Sequence, residues 1–201
     1  MSTFKLGLYL LLFVFTHHLL PSQVAAACRE KKQKDLLHDI NTYRKVLNLP
    51  IFKKSDKPSC LANKIANDLE DKHCEDYFHY YPLPGSNPKI PNFQKSVEKC
   101  KISINTTKDG VIMPVCVPKL DPDNLFSNYT KSNRYIKYLK NSKYVIAGVG
   151  SDSDNEWMVL IISTNTTSGD FSSATSLLGE AMKGHWVLMT TFLSVLVLLF
   201  S

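Results

Sequence analysis

The sequence predicts an α+β domain in which helices pack on a small antiparallel sheet. Two amphipathic helical patterns come early in the chain, and apolar runs rich in β-branched residues follow later. Helices and strands do not alternate, so a parallel βαβ sheet is not expected. Five cysteines lie between residues 28 and 116, and disulfide bonds between them would staple the domain.

The N-terminal residues have the pattern of a secretory signal peptide. Lys5 precedes a ten-residue apolar core, residues 6–15, which is too short to span a membrane. Small residues at 24–27 then provide a cleavage site. We therefore predict that residues 1–27 are removed and that the exported chain begins at Cys28.

The C-terminal residues have the pattern of a glycosylphosphatidylinositol (GPI) signal. Three small residues, 172–174, are followed by a spacer, 175–185, and by an uncharged apolar run, 186–200. The alternative is a transmembrane anchor. Fifteen helical residues extend only about 22 Å, whereas the hydrocarbon core is about 30 Å thick. No basic residue follows the run, so the GPI signal is favoured.

The small residues locate the attachment point. Ser172 is the predicted GPI attachment residue, with Ser173 as the alternative, and residues 173–201 would be removed. The expected membrane partner is therefore the outer leaflet of the cell membrane, through a GPI lipid rather than a spanning helix.

Between the signals, one extracellular domain is predicted for residues 28–164, followed by a Ser/Thr-rich stalk, 165–172. Removing Lys5, Lys183 and Glu180 from 24 basic and 18 acidic residues leaves 22 and 17, a net charge of +5. The lysines are scattered and the chain is exported, so nucleic acid is not an expected partner. A cell-wall polysaccharide, a lipid or a protein is expected instead.

The exported chain contains three N-glycosylation sequons. They begin at Asn105, Asn128 and Asn165, and none has proline in its middle position. We expect these asparagines to be N-glycosylated and to lie on the surface.

Two helices open the domain. In residues 35–47 the apolar positions recur at helical spacing and form one face. A second helix begins near residues 58–60, with Ser59 as its expected N-cap, and ends near 68–71. Ala62 and Ala66 would allow this helix to pack closely.

The second helix limits the disulfide pairings. Cys60 and Cys74 flank it and would lie about 20 Å apart, too far for a bond that needs Cα atoms within about 7 Å. With 60–74 excluded, two pairings remain for Cys60, Cys74, Cys100 and Cys116. They are 60–116 with 74–100, which is favoured, and 60–100 with 74–116. Cys28 is left over.

The later elements are weaker patterns. Residues 74–93 are rich in aromatic residues and proline, which indicates a long loop, and residues 121–124 are typical of a turn. In chain order we predict a helix over 92–100, an edge strand over 111–117 interrupted by Pro114, a helix over 133–141, and a hairpin of strands 144–149 and 156–163.

No known catalytic or metal-binding pattern appears. The exported chain keeps His38, His73 and His79, without HExxH, GxSxG or closely paired cysteines, so no catalytic residue, metal or cofactor is predicted. Asp152 and Asp154 are better explained by a hairpin turn than by calcium.

One candidate ligand site lies in the aromatic loop. His79, Tyr77 and Tyr80 would line a pocket there, with Glu75 or Asp76 near the histidine. Aromatic side chains in such a loop could stack on a sugar or an apolar ligand, although they also fill cores.

Several stretches resemble the plant uncharacterised GPI-anchored proteins. They cover nearly the whole exported domain and are residues 40–44, 49–50, 60–71, 105–110, 114–116, 144–150 and 156–159. The resemblance implies a protein on the outer face of a plant plasma membrane.

A more distant resemblance is to the CAP (SCP/PR-1-like) superfamily. Its pattern is matched in order and spacing by Asn41-x-x-Arg44, Leu49-Pro50, the helix with Ala62, Ala66 and Leu69, and the 148–157 hairpin. This likeness implies an α-β-α sandwich. Ile40 stands where that family has histidine, and its Gly-Glu-Asn and Gly-His segments are absent. A zinc or enzymatic role is therefore not expected.

The expected function is a non-enzymatic binding module for an apolar small ligand, a cell-wall component or a protein. The alternative is a hydrolase with a degenerate CAP-type pocket around His79. A histidine with a carboxylate in a concave pocket would favour the alternative.

Overall fold

The computed structural model describes residues 25–75 and 90–173. Helices and strands are numbered in chain order: α1 (25–46), β1 (Lys53–Lys54), α2 (Asp56–Leu69), α3 (Phe93–Lys99), β2 (Val111–Cys116), α4 (Pro122–Thr130), α5 (Ile136–Leu139), β3 (Ile146–Ser151) and β4 (Trp157–Ser163). Two 3₁₀ helices cover Ile104–Thr107 and Pro118–Leu120. Over these described ranges, no helix combines the length and apolar character needed to cross a membrane.

The strands form one mixed sheet in the order β1-β3-β4-β2. The predicted hairpin is present, since β3 and β4 pair antiparallel, and β2 adds to β4 as an antiparallel edge strand. Pro114 is tolerated in β2 because an edge strand leaves one side of its backbone unpaired. The prediction of a purely antiparallel sheet was wrong in one respect. The sheet is mixed, because β1 pairs with β3 in parallel through Lys53 and Lys54.

Helices cover both faces of the sheet, which confirms the α-β-α sandwich. Successive side chains of β4 point to opposite faces. Met158, Leu160 and Ile162 pack with α1, α4 and α5, whereas Trp157, Val159 and Ile161 pack with α2 and α3. A strand buried on both sides has no polar alternation, and this explains the continuous apolar run in the sequence.

The hairpin is shifted relative to its prediction. Gly150 and Ser151 belong to β3, not to the turn. A Cβ on Gly150 would lie 2.1 Å from the backbone nitrogen of Asn63, so this glycine permits close approach of α2. The turn begins instead at Asp152, whose carboxylate accepts hydrogen bonds from the backbone N–H groups of Glu156 and Trp157, both at 3.1 Å.

Helix α4 replaces the turn predicted at 121–124. Asp121 is its N-cap and accepts a hydrogen bond from the backbone N–H of Asn124 at 3.0 Å, and Pro122 follows at the first helical position. Both residue types are typical of a helix start. Helix α2 also begins earlier than predicted, at Asp56, and the expected N-cap Ser59 lies inside it.

Candidate functional site

The disulfides join α2 to α3 and to the edge strand. Cys60 pairs with Cys100 and Cys74 with Cys116, with Cα separations of 5.8 Å and 5.2 Å. The favoured pairing, 60–116 with 74–100, is therefore wrong. Helix α3 runs back along α2 and ends beside the first turn of α2. The hydroxyl of Ser96 on α3 donates a hydrogen bond to the carboxylate of Asp68 on α2 at 3.2 Å. Cys28 is exposed and unpaired.

One acidic group lies beside the second disulfide. The side-chain ligand atoms of Cys74, Cys116 and Glu156 lie within 4.8 Å of one another. The two sulfurs are bonded together, so neither is the thiolate that a metal requires. Across the described parts of the chain no other group of this kind occurs, and these residues do not form a metal centre.

The aromatic-loop site cannot be located. His79, Tyr77, Tyr80 and Asp76 lie outside the described residues, so their pocket stays a prediction. The nearest described candidate, Glu75, is exposed. His38 and His73 are also exposed and hold no buried carboxylate partner in the described residues.

Arg44 is fully buried and joins three segments of the chain, two loops and the end of α5. Its guanidinium donates to the carbonyl oxygens of Pro50 at 2.7 Å and Tyr144 at 2.9 Å, and also to that of Leu139. The ring of Phe52 lies 4.0 Å from the guanidinium carbon. Burial lowers the pKa of Arg44 to about 10, which leaves it charged at neutral pH. It faces carbonyls and an aromatic ring, so its role is structural.

Asn41 supports the same region. Its amide donates to the carbonyl of Phe52 at 3.0 Å and accepts from the N–H of Phe52 at 2.7 Å. Asn41 and Arg44, which belong to the resemblance to the CAP pattern, thus hold the α1–β1 connection in place.

A polar cluster joins α1, α2 and β3. The Gln33 amide lies 3.0 Å from Asn63 Oδ1 and 3.0 Å from the hydroxyl of Ser151. Asn63 Oδ1 also accepts from the backbone N–H of Ser151 at 3.1 Å. An amide is not a general base, so this arrangement does not activate Ser151 as a nucleophile.

A groove of about 390 Å³ runs between α1 and α4. Its walls are aliphatic and aromatic, with carboxylates at the rim; the lining residues are Asp39, Thr42, Tyr43, Val46, Pro122, Asp123 and Phe126. The rings of Tyr43 and Phe126 meet edge to face, with centroids 6.2 Å apart and an interplanar angle of 84°.

The α1–α4 groove continues toward the start of α1. An adjoining cavity of about 40 Å³ shares Asp39 and Pro122 and reaches Lys32. From Lys32 to Val46 the helix rises about 21 Å. The main groove and this smaller cavity thus lie one after the other along the same side of α1. Sequence reasoning missed this groove because α4, which forms one wall, was interpreted as a turn.

The three sequons lie at the surface to different extents. Asn105 and Asn165 are exposed. Asn128 is half-buried on α4, where its amide donates to the carbonyl of Asn124 at 2.9 Å. Glycan occupancy at these three residues stays a prediction.

The segment predicted as a stalk is folded onto the domain. Residues 164–173, which we call the C-terminal strap, follow β4 directly. Phe171 is 1% exposed and fills the space beside Gly110, where a Cβ would lie 2.6 Å from its ring. The carbonyl of Ser172 accepts hydrogen bonds from the backbone N–H of Ser103 at 2.9 Å and the hydroxyl of Thr106 at 3.2 Å. The sequence predicted a stalk here because the segment is rich in serine and threonine, and that composition does not show that the segment packs on the domain.

The strap is also fixed at its middle. Thr166 and Ser168 donate to the carboxylate of Asp109, Thr166 at 3.0 Å. These hydrogen bonds lower the pKa of Asp109. The predicted attachment residue therefore lies on the domain surface rather than at the end of a flexible linker.

Solved structures were compared with this fold, and one of them shares it. An extracellular protein containing an SCP domain from Bacillus anthracis aligns with a TM-score of 0.51 at 14% identity, over 67% of this chain and 40% of that protein. The CAP domain of Enterococcal PrgA aligns with a TM-score of 0.43 at 15% identity, over 74% of this chain and 66% of that domain. The first likeness supports the CAP-like fold alone.

Sequence comparison gives a closer relationship. Residues 33–162 match the family described as "Uncharacterized GPI-anchored protein At5g19230-like domain". An Arabidopsis thaliana protein named "Uncharacterized GPI-anchored protein At3g06035" is 38% identical over 140 residues, which is 70% of this chain and 68% of that protein. These matches agree with the signals at the two ends of the chain and with a place in the outer leaflet of the cell membrane. The chain belongs to the At5g19230-like family of GPI-anchored proteins and has a CAP-like fold.

Proposed function

We propose that this protein is a non-enzymatic, GPI-anchored glycoprotein that binds a cell-wall sugar chain in the α1–α4 groove. The observation that carries the proposal is the pairing of aromatic rings with carboxylates along an open, extended surface. Sugar rings present C–H faces that stack on aromatic side chains. Their hydroxyls donate hydrogen bonds, and ionised carboxylates accept them.

The shape of the groove favours a polymer over a compact apolar ligand. Small-molecule sites enclose most of the ligand surface, whereas this groove lies open along α1. Val46, at one end, is 77% exposed. The open part of the groove, from Asp39 to Val46, extends about 10 Å along the helix and offers linked sugar units a surface on which they can lie in an extended chain.

The charge of the groove selects the kind of sugar. Asp39 and Asp123 face the main opening and Asp35 faces its extension, where Lys32 is the cation. Acidic polysaccharides would be repelled at the carboxylate-rich end, although the exported chain carries net positive charge elsewhere. We therefore expect a neutral wall polysaccharide rather than a pectic acid.

Glycosylation is compatible with this use of α4. Asn128 follows Phe126 by two residues, which is about 200° around a helix with 3.6 residues per turn. A glycan on Asn128 would therefore project away from the groove. Glycans at Asn105 and Asn165 start from other elements, and attachment of the lipid at Ser172 leaves the groove free.

The hydrolase alternative has no supporting geometry in the described residues. His79 lies outside them, and Ser151 is bonded to an amide rather than to a base. A binding role requires neither residue.

Binding of the released protein to an array of wall polysaccharides tests the proposal. Tyr43→Ala and Phe126→Ala should each reduce the affinity for a neutral polysaccharide at least tenfold, because each removes a stacking surface. Ile51→Ser is the matched control, since Ile51 is 49% exposed and lies outside the groove. Unchanged affinity in both aromatic variants would refute the site, and loss in Ile51→Ser would assign binding to the surface beside β1.

A further inference from the structure

The position of Ser173 shows where the first atoms of a GPI anchor would lie. During attachment at Ser172, the amine of the anchor's ethanolamine forms a bond to the Ser172 carbonyl carbon. The bond from that carbon to the nitrogen of Ser173 breaks, and one proton from the ethanolamine amine passes to that nitrogen. Residues 173–201 leave as a free peptide, and the carbonyl oxygen of Ser172 is retained.

The hydrogen bonds to the Ser172 carbonyl oxygen can therefore persist after the anchor is attached. Ser103 N–H and Thr106 Oγ1 reach the Ser172 oxygen at 2.9 Å and 3.2 Å. A peptide carbonyl and an ethanolamide carbonyl are equivalent acceptors. Burial of Phe171 one residue earlier fixes the direction in which the chain leaves the domain.

Ser173 itself has the same atom sequence as the incoming group. Its N, Cα, Cβ and Oγ atoms correspond to the N, two methylene carbons and ester oxygen of ethanolamine phosphate. In the structure the Lys57 ammonium donates to Ser173 Oγ at 2.5 Å. Lys57 thus contacts the atom whose counterpart carries the phosphorus.

We propose that the domain holds its own anchor, with the Ser172 carbonyl bound by Ser103 and Thr106 and with Lys57 paired to the anchor's phosphodiester. This proposal rests on Ser172 as the attachment residue. An ammonium and a phosphodiester form a charge-assisted hydrogen bond. Within the described residues Lys57 has no carboxylate in a salt bridge, so its charge is available to the phosphate.

The pairing would restrict the motion of the domain relative to the first group of its anchor. A GPI protein on a flexible stalk can turn freely, whereas a bound phosphate leaves rotation only in the glycan and the lipid. Lys57 lies in the first turn of α2 and is half-buried, which restricts where its ammonium can move.

Phosphorus NMR of the released glycoprotein tests the proposal. Phosphatidylinositol-specific phospholipase C cuts at the lipid and leaves the ethanolamine phosphate on the protein. In the wild type we expect the phosphorus line of the ethanolamine phosphodiester to have the width set by the tumbling of the folded domain. Lys57→Met should narrow that line at least twofold, and Lys57→Arg should retain the wild-type width. Lys64→Met is the matched control, because Lys64 is an exposed lysine on the same helix.

The outcomes separate the anchor site from the pairing. Mass spectrometry of the C-terminal peptide first identifies the residue that carries ethanolamine. Attachment elsewhere than Ser172 would overturn both the site and the pairing. Attachment at Ser172 with a narrow wild-type line would overturn the pairing alone, and this measurement needs no variant to fold. Equal narrowing in Lys64→Met would also overturn it, because the effect would then be general electrostatics.

Discussion

Replacing Arg44 by methionine should destabilise the domain by about 3–5 kcal/mol. Methionine retains much of the buried volume but leaves the carbonyls of Pro50, Leu139 and Tyr144 without their donor. Each buried acceptor without a partner costs about 1–3 kcal/mol. Removal of a poorly solvated charge offsets part of that sum, which for three acceptors leaves a loss of about 3–5 kcal/mol.

A lysine at the same position separates charge from geometry. Arg44→Lys keeps the cation, but one ammonium cannot replace the fork that reaches carbonyls on separate loops. We expect a loss of about 2 kcal/mol, smaller than that of Arg44→Met. Lys45→Met changes the exposed neighbour on α1 and should stay within about 0.5 kcal/mol of the wild type.

Urea unfolding of the oxidised, exported protein measures these differences. At about 2–4 °C per kcal/mol for a domain near this size, Arg44→Met should also lower the Tm by roughly 6–20 °C. A loss below about 1 kcal/mol in Arg44→Met would show that water satisfies the three carbonyls. The clamp would then not hold the loops, and the structural role given to the Asn41–Arg44 motif would be refuted.

Two further predictions concern the β3–β4 hairpin and its contact with α2. Burial raises the pKa of Asp152 in the folded protein. The protonated side chain therefore contributes to stability below the unfolded-state pKa of about 3.9. This contribution is lost as the pH rises through the pKa of Asp152 in the folded protein. Asp152→Asn should therefore gain in Tm relative to the wild type between pH 3.5 and 7, and parallel Tm curves would contradict this. Gly150→Ala should cost about 3 kcal/mol in urea unfolding, since its Cβ would meet the α2 backbone at Asn63; a loss under about 1 kcal/mol would show that α2 can move away.

The elements that the sequence predicts well are those with strong periodicity. Helix α2 has apolar residues at helical spacing, and β4 begins with a continuous apolar run of six residues, Trp157 to Ile162. In both, local pattern and tertiary burial agree, so the pattern is sufficient. Strand β1 has only two exposed lysines and pairs through its backbone, so no side-chain pattern marks it.

The candidate groove depends on a contact that no local pattern contains. Tyr43 and Phe126 are 83 positions apart in the sequence, and each alone is an ordinary amphipathic position. The start of α4 was nevertheless encoded, because Asp121 and Pro122 have the residue types of an N-cap and a first helical position. The same two residues are also common in turns, and only packing of Leu125 and Tyr129 into the core decides between them.

The disulfide pairing shows a different limit. Length arguments exclude a bond across α2, but they do not determine whether α3 runs along α2 or away from it. That direction follows from the burial of Phe93 and Val97 against α2 and the sheet. A non-local packing choice thus selects between two pairings that are equivalent in sequence.

Neighbouring residues of the C-terminal strap serve two requirements, recognition of the GPI signal and packing onto the domain. Recognition of the GPI signal depends on small residues from Ser172 onward and on the length of the spacer, all of which are local in sequence. The fold requires an aromatic residue at 171, because that side chain fills the space left by Gly110, and it requires the next carbonyl to reach Ser103. A stalk would tolerate insertions between these features, whereas here one residue added between Thr164 and Phe171 would move either the ring or the carbonyl out of its site. The strap therefore behaves as the last element of the domain, and its length is set by packing rather than by the reach needed above a membrane.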